Sequence, residues 1–140
     1  MNKQFVTTLT VILLAGYPLL AQETVVREDI DATITHLLDV VTKSGCTFIR
    51  NGQQYTGAQA SDHMRIKYKH FKDQIKTPED FIRLAATESL LTGEPYKIKT
   101  QDGQETPCAT WMKTLLTQYR QHEKDQPKNE TTNSAPRIGG

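Results

Sequence analysis

A mainly helical α+β domain is what this sequence predicts. Three observations carry the prediction: apolar stripes of helical period between Ile30 and Ile75, a threonine-proline-acid helix start at Thr77, and short alternating segments beside Asn51-Gly52 and Asp102-Gly103. The expected architecture is a small single domain of about four helices. Two short hairpins supply a small antiparallel sheet.

Taken in order, Ile30, Ile34, Leu37, Leu38 and Val41 recur at steps of three and four, so they share one helix face, and Gly45 can end that helix in a left-handed conformation. Cys46, Phe48 and Tyr55 flank Asn51-Gly52, a pair that favours positive φ and therefore a tight turn between two strands. Ala60, Met64, Tyr68, Phe71 and Ile75 form a second helical stripe, with Ser61, Arg65, Lys69 and Lys72 pointing elsewhere. At Thr77-Pro78-Glu79-Asp80 the threonine can cap a free amide. Proline suits the first helical position, and the two carboxylates favour the positive end of the helix dipole. A helix therefore starts at Pro78, buries Phe81, Ile82, Leu84 and Ala85, and is expected to run to Thr92-Gly93, ahead of Pro95. Tyr96, Ile98 and Thr100 alternate with Lys97 and Lys99 up to Asp102-Gly103, a second strand and turn. After Pro107 the last helix carries Trp111, Leu115, Leu116 and Tyr119.

The two ends differ in kind from this middle. Lys3, the apolar run Phe5 to Leu14, and the small residues Gly16 and Ala21 read as a secretory signal over residues 1–21, cut after Ala21. Its apolar run, about ten residues, is short against the roughly twenty that span a bilayer. The product is expected to be exported and soluble, with no stable membrane insertion. Residues 123–140 hold Ile138 as their one large apolar side chain, too little to offset the entropy of ordering them, and are expected to be a disordered polar tail. That leaves residues 22–122 as the globular domain. Loss of the signal removes Lys3 and no acid, so 17 basic residues fall to 16 against 16 acidic ones. A chain near neutrality gives no electrostatic case for nucleic acid.

Between these ends lie Cys46-Thr47-Phe48-Ile49-Arg50-Asn51-Gly52, then His63-Met64-Arg65-Ile66-Lys67, then Glu88-Ser89-Leu90-Leu91-Thr92-Gly93-Glu94-Pro95-Tyr96. These stretches resemble the YfeK-like domain of unknown function, a family of small bacterial envelope proteins, over roughly residues 36 to 116. The resemblance implies a fold and a periplasmic location, and it carries no catalytic assignment. In an oxidising periplasm, Cys46 and Cys108 point to one disulfide; two free buried thiols, or a bond between chains, are the alternatives.

Several polar residues are candidates for binding a ligand or partner. Arg50 can offer a planar fork to a carboxylate or phosphate, or can brace backbone carbonyls or Glu88. Asn51 serves the turn. His63 and Lys67, four residues apart with His70 three further, share a helical edge that either binds an anion or is a solvated flank. The basic run Arg65, Lys67, Lys69, Lys72 and Lys76 is diluted by Asp62 and Asp73 and reads as a solvated face. Ser89 with His63 and Glu79 or Glu88 is the one triad-like set available, without a Gly-x-Ser-x-Gly elbow. The histidines His36, His63, His70 and His122 are too scattered to suggest a metal, and no cofactor motif is present.

The leading expectation is a non-enzymatic binding module of the envelope. It would recognise an unknown envelope protein or small ligand through Arg50, Asn51, His63, Lys67, Glu88, Ser89 and Tyr96. An inhibitor or immunity-type protein against a secreted enzyme is the alternative, followed by a small hydrolase using Ser89 and His63.

Overall fold

Asp29 starts the first helix because its carboxylate accepts the amide of Ala32 at 3.0 Å, relieving one of the free donors of the first turn. The structure, a computed structural model, describes residues 27–126. The expected signal segment and residues 127–140 of the tail lie outside the described residues. Helix α1 (Ile30–Lys43) buries Ile34, Leu37, Leu38 and Val41, the stripe its periodicity predicts. Strands β1 (Thr47–Arg50) and β2 (Gln53–Tyr55) meet at Asn51 and Gly52, whose φ values of 49° and 72° are both left-handed. That geometry matches the twist of a two-residue hairpin.

Helix α2 (Gly57–His70) opens on a capping box, in which the Thr56 hydroxyl accepts the Gln59 amide and the Gln59 side chain accepts the Thr56 amide. It buries Ala60, Ser61, Met64 and Lys67. The second stripe does not continue as one helix to Ile75: α2 ends at His70, a 3-10 turn follows at Lys72–Gln74, and Ile75 is extended yet still buried. The break lets the chain reverse so that α3 (Pro78–Ala85) packs back against α2. Thr77 caps α3 as predicted, its hydroxyl accepting the Asp80 amide at 3.1 Å.

Helix α3 is shorter than expected, stopping at Ala85 rather than at Thr92-Gly93. The Thr87 hydroxyl donates to the Ile82 carbonyl at 2.9 Å, sharing that acceptor with the Ala86 amide at the helix end. The chain then folds into a closed loop in which Glu88 bridges Pro95, Ser89 N–H donates to Glu94 O, and Tyr96 N–H donates to Thr87 O. The glycine at 93 closes this loop and not a helix: its N–H donates to Ser89 O at 2.8 Å.

Strands β3 (Lys97–Lys99) and β4 (Glu105–Pro107) complete an antiparallel sheet of order β2-β1-β3-β4, joined through the first strand of each hairpin. Helix α4 (Cys108–Asp125) buries Cys108, Met112 and Leu116, so its inward stripe begins one turn before Trp111. It also extends past residue 122, making Glu123, Lys124 and Asp125 helical where composition reads tail. The four helices pack on one another, and Phe48 and Ile98 carry the sheet into their common core.

The expected Cys46–Cys108 disulfide is absent, and both thiols are free. Strand register explains why. Thr47 pairs with Lys99 and Lys97 with Pro107, so Cys46 lies beside Thr100 and Cys108 beside Tyr96. Four residues of strand, about 13 Å, separate those rows, whereas a disulfide needs Cα atoms within about 7 Å.

Candidate functional site

Alternation along the strands assembles the site. Phe48 and Ile98 pair and face the helices, so Arg50, two residues along β1, and Tyr96, directly before β3, point to the same side. Extended by one residue past Ile49 and Lys97, that register sets Arg50 opposite Tyr96, and Cys108 lies on the other flank of Tyr96, its N–H donating to the Tyr96 carbonyl at 2.9 Å. Over this row lies α2, with Ala60, Met64 and Lys67 on its buried stripe and His63 at the stripe's edge.

The result is a pocket of ≈ 320 Å³. Its walls are largely apolar, supplied by Phe48, Ala60, Met64 and the ring of Tyr55, while Arg50, Gln59, Asp62, His63 and Tyr96 place polar groups at its lining. His63 Nε2 lies 3.2 Å from the Tyr96 hydroxyl, with the rings edge to face. Arg50 donates to the Tyr55 hydroxyl at 3.2 Å and rests over that ring, 4.7 Å from its centre. Among the described residues no carboxylate pairs with Arg50, so Glu88 is not its partner.

Lys67 is not on a solvated flank. It is 4% exposed, its ammonium donates to the Glu88 carbonyl at 2.8 Å, and it sits over the Tyr96 ring at 5.1 Å. The spacing Ala60, Met64, Lys67 is itself an inward stripe, a signal present in the sequence but outweighed there by the longer row through Tyr68 and Phe71. The rest of the basic run is solvated and partly paired, Arg65 with Asp39 at 3.6 Å and Lys72 with Asp31 at 2.6 Å.

Asn51 does more than make a turn. Its amide donates to the Ser89 hydroxyl at 3.3 Å and its carbonyl accepts the Thr92 hydroxyl at 2.8 Å, which clips the 86–96 loop to the β1–β2 hairpin. The seven polar candidates thus meet from three chain segments but divide in role. Arg50, His63 and Tyr96 line the pocket. Asn51, Lys67, Glu88 and Ser89 fasten the loop behind it. Ser89 Oγ faces Asn51 and His63 faces Tyr96, so serine and histidine do not address each other. Tyr55, Met64 and Ile66 are lining residues that composition reads only as strand or helix content.

Arg50 and Lys67 are the two cations whose charges act on His63. Burial, then the charges of Arg50 and Lys67, hold His63 below its usual 6.5. Burial lowers Lys67 from its ordinary value, with Glu88 opposing and Arg50 adding to the shift. Burial raises the Tyr96 phenol and pushes the Cys108 thiol up to about 12, so that thiol stays protonated and inert at neutral pH. No group of three metal-ligating side chains converges among the described residues, and none of their helices is long and apolar enough to cross a membrane.

With this geometry in view, two likenesses are informative. A family described only as a family of unknown function, DUF5329, matches residues 28–120, more than half of the chain. The uncharacterized protein YfeK of Salmonella typhimurium strain LT2 is 36% identical over 67 residues, which are 47% of this chain and 56% of that protein. The chain therefore spans little more than half the length of that curated relative. No solved structure matches.

Proposed function

The chain belongs to the family of unknown function DUF5329, and from that premise we propose that it is an exported, non-enzymatic binding module of the bacterial envelope. The observation that carries the reading is the convergence of Arg50, His63 and Tyr96, from β1, α2 and the approach to β3, on one mainly apolar pocket. Pockets with apolar walls and a few converging polar groups are the usual form of a ligand site. The Asn51–Ser89 and Lys67–Glu88 hydrogen bonds hold that mouth in shape before any ligand arrives, which reduces the ordering cost of binding. Export is supported by the Lys3 to Ala21 pattern.

The test is crosslinking in living cells from a photoreactive residue at Gln53, the strand partner of Arg50, or at Glu94, on the loop fastened to Asn51. The expected result is one saturable adduct, lost in Arg50→Ala and weakened in Tyr96→Phe, with thermal midpoints of both variants close to wild type. Adducts that persist unchanged in both variants would place recognition elsewhere. A second reading, an inhibitor of a secreted enzyme, is favoured by Leu90 and Leu91, which are 63% and 94% exposed on the loop fastened to Asn51. Under that reading Leu91→Asp abolishes the adduct while Arg50→Ala leaves it intact.

A further inference from the structure

Resting on that reading of the pocket, we infer that its ligand is a small amphipathic monocarboxylate, whose apolar body fills the cleft between β1 and α2 and whose carboxylate docks on Arg50. The first support is shape and composition. The cleft of ≈ 320 Å³ lies at the lower end of the range that ligand pockets occupy, roughly 300–1,000 Å³. Phe48, Ala60 and Met64 offer its body no hydrogen-bonding side chain, and Ile66, 67% exposed at the rim, extends the apolar surface outward. A wholly polar ligand would leave those walls unused.

Charge supplies the second support. Arg50 has one hydrogen bond, to Tyr55, and no carboxylate partner among the described residues, so the rest of its planar fork is free. A guanidinium presents five N–H donors in a plane and matches a carboxylate two bonds at a time. The guanidinium carbon lies 4.7 Å from the Tyr55 ring centre, and this contact together with the bond to the Tyr55 hydroxyl anchors the fork at the pocket. The His63 and Tyr96 pair lines the same mouth and can exchange its mutual bond for one to the second face of the anion.

The third support limits the ligand to a single charge. Lys67 is the other cation nearby, but its ammonium is committed to the Glu88 carbonyl and the Tyr96 ring. Asp62 lines the same pocket and repels a second negative charge. One free fork with an acidic neighbour suits a carboxylate better than a divalent phosphate.

Trp111, the one tryptophan of the chain, packs edge to face on Phe48 at 5.9 Å, so its fluorescence reports on the pocket wall. The purified protein is titrated with phenylacetate and octanoate, with their neutral amides, and with acetate and inorganic phosphate; calorimetry repeats each titration. The expected result is saturable binding of at least one apolar carboxylate. The amide binds at least tenfold more weakly, and acetate and phosphate show no saturation. Arg50→Gln weakens the carboxylate at least tenfold with an unchanged thermal midpoint. The wild-type comparison of acid with amide decides the matter even if that variant is unstable. Equal affinity for acid and amide, tighter binding of phosphate, or no saturation by either carboxylate overturns the inference. In that event, an Arg50-dependent adduct from Gln53 or Glu94 leaves the binding-module reading standing with another ligand, whereas loss of both results removes it as well.

Discussion

Replacing Gly57 by alanine tests how α2 is held over the pocket. The methyl carbon would stand 2.3 Å from the Val41 carbonyl oxygen and 3.0 Å from that of Thr42, both backbone atoms at the end of α1. Ordinary contact begins near 3.4 Å, so the two helices must separate by about 1 Å. The Val41 carbonyl has little freedom to retreat, because it already accepts the Ser44 hydroxyl at 2.9 Å. Separation also stretches the bond from the buried Ser61 hydroxyl to the Leu38 carbonyl, now 3.2 Å. Overpacking of this kind costs about 1–3 kcal/mol, and the strained buried hydrogen bond adds about 1 kcal/mol. Stiffening of the unfolded chain returns about 0.4–1 kcal/mol. The net expectation is a loss of about 2 kcal/mol, or roughly 8–16 °C in thermal midpoint for a domain of this size. Far-UV circular dichroism during thermal and urea unfolding measures it, with Gly52→Ala as comparison. At Gly52 an added carbon meets nothing within 4 Å, so the only penalty is its left-handed φ of 72°, about 1 kcal/mol. A Gly57→Ala midpoint within about 2 °C of wild type would refute the close-approach argument.

Four further outcomes follow from the site and the thiols. His63 has its folded pKa below 6.5, so in the window beneath that value the unfolded chain holds the proton more tightly and stability falls as pH drops. Titration from pH 7 to about 5 should therefore show a shallower loss of stability in His63→Gln than in wild type; parallel curves contradict the burial assigned to the ring. Arg50→Ala should move the His63 midpoint upward in an NMR titration, since it removes a nearby positive charge, and a downward or absent shift would mean the two are not neighbours. Because Cys46 and Cys108 are unbridged, a reductant should leave the thermal midpoint unchanged; a clear fall in the reduced protein counts against two free thiols. Under native conditions an alkylating reagent should modify Cys46 well before Cys108, which is fully buried with its pKa raised to about 12.

Much of the architecture is local and therefore readable. Thr77 and Pro78 start α3, Asn51-Gly52 makes the first hairpin, and the Ile30 to Val41 spacing makes α1, because capping, turn geometry and period act within a few residues. What composition misreads is where elements stop. Helix α3 ends at Ala85 because the next residues find better backbone partners in the closed loop up to Tyr96, and those partners are set by a bridge between Glu88 and Pro95. Helix α4 absorbs Glu123 to Asp125 because a polar sequence can extend a helix already nucleated by a buried stripe.

The candidate site shows the same division. Its residue types were legible: arginine before a turn, histidine and lysine one helical turn apart, tyrosine at the start of a strand. By itself the chain determined four helices, two turns, the Thr77 cap and the polar residues worth testing, since each depends on neighbours close in sequence. Tertiary structure alone decided that Arg50 stands opposite Tyr96, that Lys67 is buried behind the pocket, and that Cys46 and Cys108 lie at opposite ends of β3. Each of those depends on strand register and on which helix face meets the sheet. Both follow from the packing of the whole core, because a shift of one residue in register would turn every one of these side chains to the other face.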